Sequence, residues 1–247
     1  MPESSRVQLC GTFAVELRGC RVEQALRGRQ GRLLFAYLVL VRGQTVSRDV
    51  LIDALWGDEP PAAAGTALNA LISKVRASVE PGTITGRTHL GLVLPEPVIV
   101  DVEMAMAAVH AAESAISRGD WRAAWAPALS AHFVARRGFL PEADAAWSEV
   151  WRRRLAEVDL RALECYATAC LEMGGTELAG AERAARQLIE QAPLRETAHL
   201  LLMRTLVARG NVAEALAQYE RLRVLLRDEL GVSPSPGLRE AWAGLLR

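Results

Sequence analysis

Arg27–Val79 reads RGRQGRLLFAYLVLVRGQTVSRDVLIDALWGDEPPAAAGTALNALISKVRASV, and this stretch decides the fold of the first part of the chain. In its last piece Leu68, Leu71, Ile72, Val75 and Val79 recur at i, i+3, i+4, i+7 and i+11, a single apolar stripe on a helix. At about 100° per residue the opposite face centres on Thr66, Ala70, Ser73 and Ala77. Asn69 and Arg76 flank it on one side and Lys74 on the other. A helix that enters a major groove needs such a face. Small residues let the backbone approach, Asn can bond adenine bidentately, Ser and Thr can bond bases or phosphate, and Lys and Arg hold phosphate or read guanine. An ordinary amphipathic surface helix has the same stripe, so the preceding segments decide between the two.

Gly31–Val41 holds the apolar run LLFAYLVLV, too short for a bilayer and suited to a buried helix that Gly43 stops. Ser47 is a candidate N-cap, with Asp49 in the first turn where a negative charge suits the helix dipole. Leu51, Ile52, Leu55 and Trp56 form a short apolar stripe, Gly57 closes that helix, and Pro60-Pro61 precedes the next. The predicted order is buried helix, short helix, turn, groove helix. From Leu26 to Arg48 there are five arginines (Arg27, Arg29, Arg32, Arg42, Arg48) and no Asp or Glu. That pattern is a solvated basic surface or a phosphate-facing one. Val7-Gln8-Leu9 and Phe13–Leu17 are β-prone runs broken at Gly11 and Gly19, and they predict a small antiparallel sheet before the helices. Thr83–Thr85 and Leu90–Leu94 predict a hairpin after the groove helix, with Arg87 and His89 near its tip. Such a hairpin is the wing of a winged helix.

A boundary is expected at Pro95-Glu96-Pro97, beyond which strand signals vanish and alanine-rich helical periods begin. Asp101 could cap the first of these helices, with Glu103 in its opening turn. Turns are expected at Arg118-Gly119-Asp120, Met173-Gly174-Gly175 and Arg209-Gly210-Asn211, and the last two glycines lie 36 residues apart. With Ala213, Ala215 and Ala217 expected to face inward, the pattern is that of tetratricopeptide-type helix pairs. The stretch AHFVARRGFLPEADAAWSEVWRRR is expected to be an irregular helical connection. Trp121/Trp125 and Trp147/Trp151 are i, i+4 pairs and read as packing residues, and Arg152–Arg154 as a solvated basic face.

These residues resemble a known family, the Streptomyces antibiotic regulatory proteins, which join an OmpR-type winged helix to a helical bacterial transcriptional activator domain. The resemblance rests on RGQTVSRDVLIDALWGDEPP, TALNALISKVRASV and RETAHLLLMRTLVARGNVAEALAQYERLRVLLRDELGVSPSPGLREAW, and it runs from about Val7 to Leu246. DELGVSPSPGL is the most specific part. The chain departs from the common family pattern at Gly65, where an arginine is frequent, and at Gly91-Leu92-Val93-Leu94, where Gly-Tyr-Arg-Leu is frequent. Both departures replace side chains that can contact phosphate. The resemblance implies a mainly α fold: an N-terminal winged helix–turn–helix with small β-sheets over 1–97 and an all-α tetratricopeptide-like activator domain over 98–247. It further implies an activator bound as two protomers, a homodimer on double-stranded promoter DNA with direct repeats, and in contact with RNA polymerase holoenzyme. The expected DNA-binding residues are Arg29, Arg32, Arg48, Thr66, Asn69, Ala70, Ser73, Lys74, Arg76 and Arg87.

The chain has 247 residues with 29 basic and 29 acidic side chains, so any DNA affinity must come from local charge. Lys74 is the only lysine. No phosphate-loop motif and no Ser-His-Asp or Cys-His spacing points to an enzyme. The four cysteines (Cys10, Cys20, Cys165, Cys170) lack zinc spacing, and no cofactor or metal is expected. Without a recognisable signal peptide or membrane span, a cytoplasmic location is expected. Two alternatives stay open: a protein-interaction module whose DNA-binding part is weakened, and a regulator with a pocket for an unidentified small-molecule effector in its helical part.

Overall fold

The computed structural model describes residues 4–26 and 28–245, so Arg27 lies outside the described residues. The chain divides into two compact units, Met1–Met104 with Arg137–Ala156, and Ala105–Arg136 with Glu157–Arg247. The fold is mainly α, a winged helix–turn–helix with two small sheets followed by tetratricopeptide-like helix pairs.

In the first unit β1 (Ser5–Gln8), β2 (Ala14–Leu17), β3 (Cys20–Arg21) and β7 (Val98–Val100) form one sheet in the order β3-β2-β1-β7. The expected antiparallel pair is present, with Val7 opposite Val15. Strand β7 lies beyond the expected boundary at Pro97 and pairs parallel to β1, Val7 against Val100. Helix α1 (Arg29–Leu40) buries Leu33, Leu34, Phe35, Leu38 and Val39, as the apolar run predicts. Strand β4 (Thr45–Ser47) follows, and Ser47 Oγ accepts from the Val50 N–H to cap α2 (Arg48–Trp56). Gly57, at φ +55°, ends that helix. Helix α3 (Ala64–Ser78) buries Leu68, Ile72 and Val75. It reaches α1 closely enough that a Cβ on Gly31 would touch the Val75 side chain at 3.8 Å. Strands β5 (Ile84–Thr85) and β6 (His89–Leu92) make the wing, and β4 completes a second sheet in the order β4-β6-β5.

Asp101, the first residue of α4 (Asp101–Ser117), does more than cap its helix. Its carboxylate accepts from Leu9 N and Cys10 N, each at 2.9 Å, and from Val102 N. These bonds fix the end of β1 to the start of α4. Burial pushes its carboxyl above the ordinary range, against the opposing pull of those N–H donors and of Arg137.

Residues 137–156 belong to the same unit. The expected irregular helical connection is extended around Phe139, which bridges to Cys10, before α6 (Ala146–Met173) begins. Trp147 packs edge-on against Tyr37 and Phe139 and donates from Nε1 to Ala54 O at 3.0 Å. Trp151 stacks on Phe139. Arg152 differs from the solvated face expected of it. Its guanidinium donates to the carbonyls of Phe139, Leu140 and Ala143 and pairs with Glu149, so it fastens this loop.

The second unit holds most of α4, α5 (Trp121–Ala135), the later part of α6, α7 (Leu178–Gln191), α8 (Glu196–Ala208), α9 (Val212–Leu230) and α10 (Pro236–Leu245). Gly119, Gly174 and Gly210 fall between successive helices with positive φ, where the turns were expected. Its core joins Ala184, Ala185, Ala198 and Ala215 to Leu188, Leu202, Leu206 and Leu222. Small residues set the helix spacing. A Cβ on Gly180 would lie 2.9 Å from Tyr166 Oη. Of the three alanines expected to face inward on α9, only Ala215 is buried, and Ala213 and Ala217 are exposed. Alternate positions share a face on a strand, whereas on a helix they lie about 200° apart. Cys165 and Cys170 are buried and unpaired. Among the described residues no helix is long and apolar enough to cross a membrane.

Candidate nucleic-acid interface

Helix α3 is amphipathic as its sequence predicts. Thr66, Asn69, Ala70, Ser73, Lys74 and Ala77 are exposed, and the opposite stripe is buried except at Leu71, which is half-buried. The exposed face is therefore a row of small and polar side chains bordered by one ammonium group.

Two arginines tie this face to the wing. Arg48, at the start of α2, donates from Nη1 to Arg87 O at 3.1 Å and from Nη2 to Asn69 Oδ1. Arg76, near the end of α3, donates from Nε to Ile84 O at 3.3 Å and from Nη2 to Gly86 O. One guanidinium thus links α2, α3 and the wing tip, and the other links α3 to β5 and to the first residue of the β5–β6 turn. The turn itself requires glycine. Gly86 has φ +81°, and a Cβ there would sit 1.9 Å from His89 O. Arg87 at the tip is exposed, with its backbone carbonyl already held. The Asn69 amide keeps its NH₂ group for an incoming acceptor while Arg48 occupies its oxygen.

The ten residues expected to meet DNA therefore separate into three groups. Thr66, Asn69, Ala70, Ser73 and Lys74 share the exposed face of α3, and Arg87 stands at the wing tip. Arg48 and Arg76 reach backbone and amide oxygens of the interface itself. Arg29 and Arg32 lie on α1 and line a different cleft. Arg29 donates to Asp144 O at 2.9 Å, and Arg32 lies over the Phe13 ring, 5.9 Å from its centroid. Nothing in the local sequence separates these groups, because every arginine offers the same charge. Strand β4 was also missed. Only its pairing with β6, Val46 against Leu90, makes three residues a strand.

Of the departures from the family pattern, Gly65 and Val93 fall on the surface and Leu92 does not. Gly65 has open space around it, and Val93 is 61% exposed while its backbone N–H donates to Thr83 O at 2.8 Å. Leu92 is buried and packs inward.

The bacterial transcriptional activator domain family matches residues 100–246. The chain is 37% identical over 227 residues to the regulatory protein AfsR of Streptomyces coelicolor, an alignment covering 88% of this chain. It spans only about a fifth, 22%, of the length of AfsR. The regulatory protein DnrI of Streptomyces peucetius is 30% identical over 233 residues, covering 89% of this chain and 84% of DnrI. Among solved structures, Mycobacterium tuberculosis EmbR in complex with a low affinity phosphopeptide superposes with a TM-score of 0.84 at 24% identity. That match covers 100% of this chain and 66% of the EmbR chain and shows a shared fold. A winged helix, a matched activator domain and a relative of similar length alignable along most of it agree: the chain belongs to the Streptomyces antibiotic regulatory protein family.

Proposed function

We propose that this chain is a sequence-specific, double-stranded-DNA-binding transcriptional regulator that activates from directly repeated promoter half-sites and performs no catalysis. The observation that carries the proposal is the exposed row Thr66, Asn69, Ala70, Ser73 on α3, bordered by Lys74 and adjoining a wing tip fixed in place by Arg48 and Arg76. In this assignment Thr66, Asn69 and Ser73 meet base edges, and Ala70 lets the helix approach them. Lys74 and Arg87 meet phosphate. Arg48 and Arg76 act as positioning residues, because each donates two hydrogen bonds to Asn69 or to wing carbonyls. Residues 1–97 form the DNA-reading domain and residues 98–247 the activator domain, through which the protomers contact one another and RNA polymerase holoenzyme. The site of action is the cytoplasm.

The test is a comparison of Asn69→Ala with Lys74→Ala on a selected site and on random DNA. Asn69→Ala should lose about 1–3 kcal/mol on the selected site and little on random DNA. Lys74→Ala should weaken both alike and shallow the salt dependence by about 0.9 in log–log slope. Equal losses on both DNAs for Asn69→Ala would remove the base-reading role. Wild-type affinity indifferent to salt would favour a protein-interaction module instead.

A further inference from the structure

The first unit contains a cleft of about 660 Å³ whose lining includes no residue of α2, α3 or the wing. Its volume is that of a site for a small organic molecule. Phe13, Leu33 and Leu140 give it apolar walls, and Arg21, Arg29 and Arg32 bring three guanidinium groups to it. Glu23 and Glu142 also line it, leaving the lining one net positive charge.

The three arginines are not equivalent. Arg21 Nε lies 2.8 Å from Glu23 Oε1, which offsets most of its charge. Arg29 gives one Nη2 to Asp144 O and stands 3.5 Å from the Asp144 carboxylate, itself 97% exposed and well screened. The Arg32 guanidinium lies over the Phe13 ring, 5.9 Å from its centroid, which places a cation beside an aromatic face. The Leu140 side of the cleft is held in advance. Leu140 keeps the left-handed φ of +36°, donates to Leu9 O at 2.9 Å and accepts from Arg152 at 3.0 Å. Gly11 N donates to Gly138 O at 2.7 Å in the same loop pair. A preformed wall lowers the ordering cost of binding.

We propose that this cleft binds a small aryl anion, with a flat apolar body between Phe13 and Leu140 and a carboxylate or phosphate head on Arg32 and Arg29. Arg21, Arg29 and Arg32 are exposed, but they line a recess together with the buried Leu33 and away from α2, α3 and the wing, which suits a compact ligand. The inference stands apart from the DNA-binding proposal, and either can fail alone.

The experiment measures binding of phenyl phosphate and of benzoate to the full chain by ligand-observed NMR and calorimetry, with inorganic phosphate and phenol as controls. At least one aryl anion is expected to bind with a Kd of about 1 mM or tighter, and at least about tenfold tighter than either control. The identity of the tighter probe assigns the head group. Arg32→Ala, at an exposed position, should weaken that binding at least about tenfold and leave affinity for the selected DNA site unchanged. Phe13→Leu should weaken it several-fold while keeping the fold. The proposal is overturned if neither aryl anion outcompetes inorganic phosphate, or if Arg32→Ala leaves binding intact. It is equally overturned if Arg32→Ala weakens DNA binding as much as Lys74→Ala, which would assign these arginines to the DNA backbone.

Discussion

Gly82 and Gly86 flank β5 with similar backbone angles, φ +88° and +81°, so alanine at each separates two costs that one substitution would mix. A side chain in the left-handed region costs roughly 1–2 kcal/mol at either position. At Gly82 that is the whole cost, since nothing lies within 4 Å of a new Cβ. At Gly86 the Cβ would lie 1.9 Å from His89 O and 3.0 Å from its carbonyl carbon, both backbone atoms of the facing strand. The turn has to open, displacing the carbonyls of Gly86 and Arg87 that Arg76 and Arg48 hold. Overpacking adds about 1–3 kcal/mol. Gly86→Ala should therefore lose about 2–5 kcal/mol and Gly82→Ala about 1–2 kcal/mol. The assay is urea denaturation of the full chain, with amide exchange at Leu90 and Leu92 to locate the loss in the wing. Only Gly86→Ala should also weaken DNA binding. If the two variants lose the same stability within about 0.5 kcal/mol, the tight β5–β6 turn is not what holds the wing.

Three further outcomes follow from other parts of the molecule. Gly65→Arg places a cation at an exposed, uncrowded position of α3, so affinity for all DNA should rise and the log–log salt slope steepen by about 0.9; an unchanged slope in a salt titration would show that position 65 does not face phosphate. Asp101→Ala leaves the N–H groups of the fully buried Leu9 and Cys10 unpaired and should cost about 2–4 kcal/mol, so a loss under about 1 kcal/mol in urea denaturation would mean those bonds do not hold β1 to α4. Glu113 is paired with Arg161 at 2.6 Å, and the Arg161 hydrogen bonds hold its carboxyl below the ordinary range. A depressed carboxyl adds stability above its unfolded value and loses it as pH falls through the folded one. Arg161→Ala should thus remove part of the acid sensitivity of the second unit between about pH 6 and about pH 3, by under about 1 kcal/mol because Glu113 is 34% exposed. Identical pH–stability curves for the two proteins would count against the pair.

What the sequence made legible was local and periodic. The stripe Leu68–Val79, the cap at Ser47, the stop at Gly57 and the wing turn near Arg87 each depend on residues within one helical turn or one hairpin. Pairings between distant segments left no such trace. Strand β7 exists because Val100 lies beside Val7. The segment 137–156 joins the first unit because Phe139 reaches Cys10 and Trp147 reaches Ala54. Both link residues roughly a hundred positions apart in the chain, and neither pattern is periodic. The arginines read alike in the sequence but differ in the structure. Arg48, Arg76 and Arg152 donate to protein oxygens, and Arg29 and Arg32 line a cleft, distinctions set by which carbonyls and rings the fold delivers to each guanidinium. Ala213 and Ala217 on α9 face outward, unlike Ala215, because alternate spacing does not keep residues on one face of a helix.

The central claim is that α3 and the wing read a DNA sequence, and the most direct measurement retains fragmented genomic DNA from the source organism on the purified chain at moderate salt and sequences it. The account predicts enrichment of a few promoter fragments that share a short, directly repeated motif, with Asn69→Ala abolishing the enrichment while overall DNA retention persists. Retention without any shared motif, or retention of no DNA at all, would contradict it.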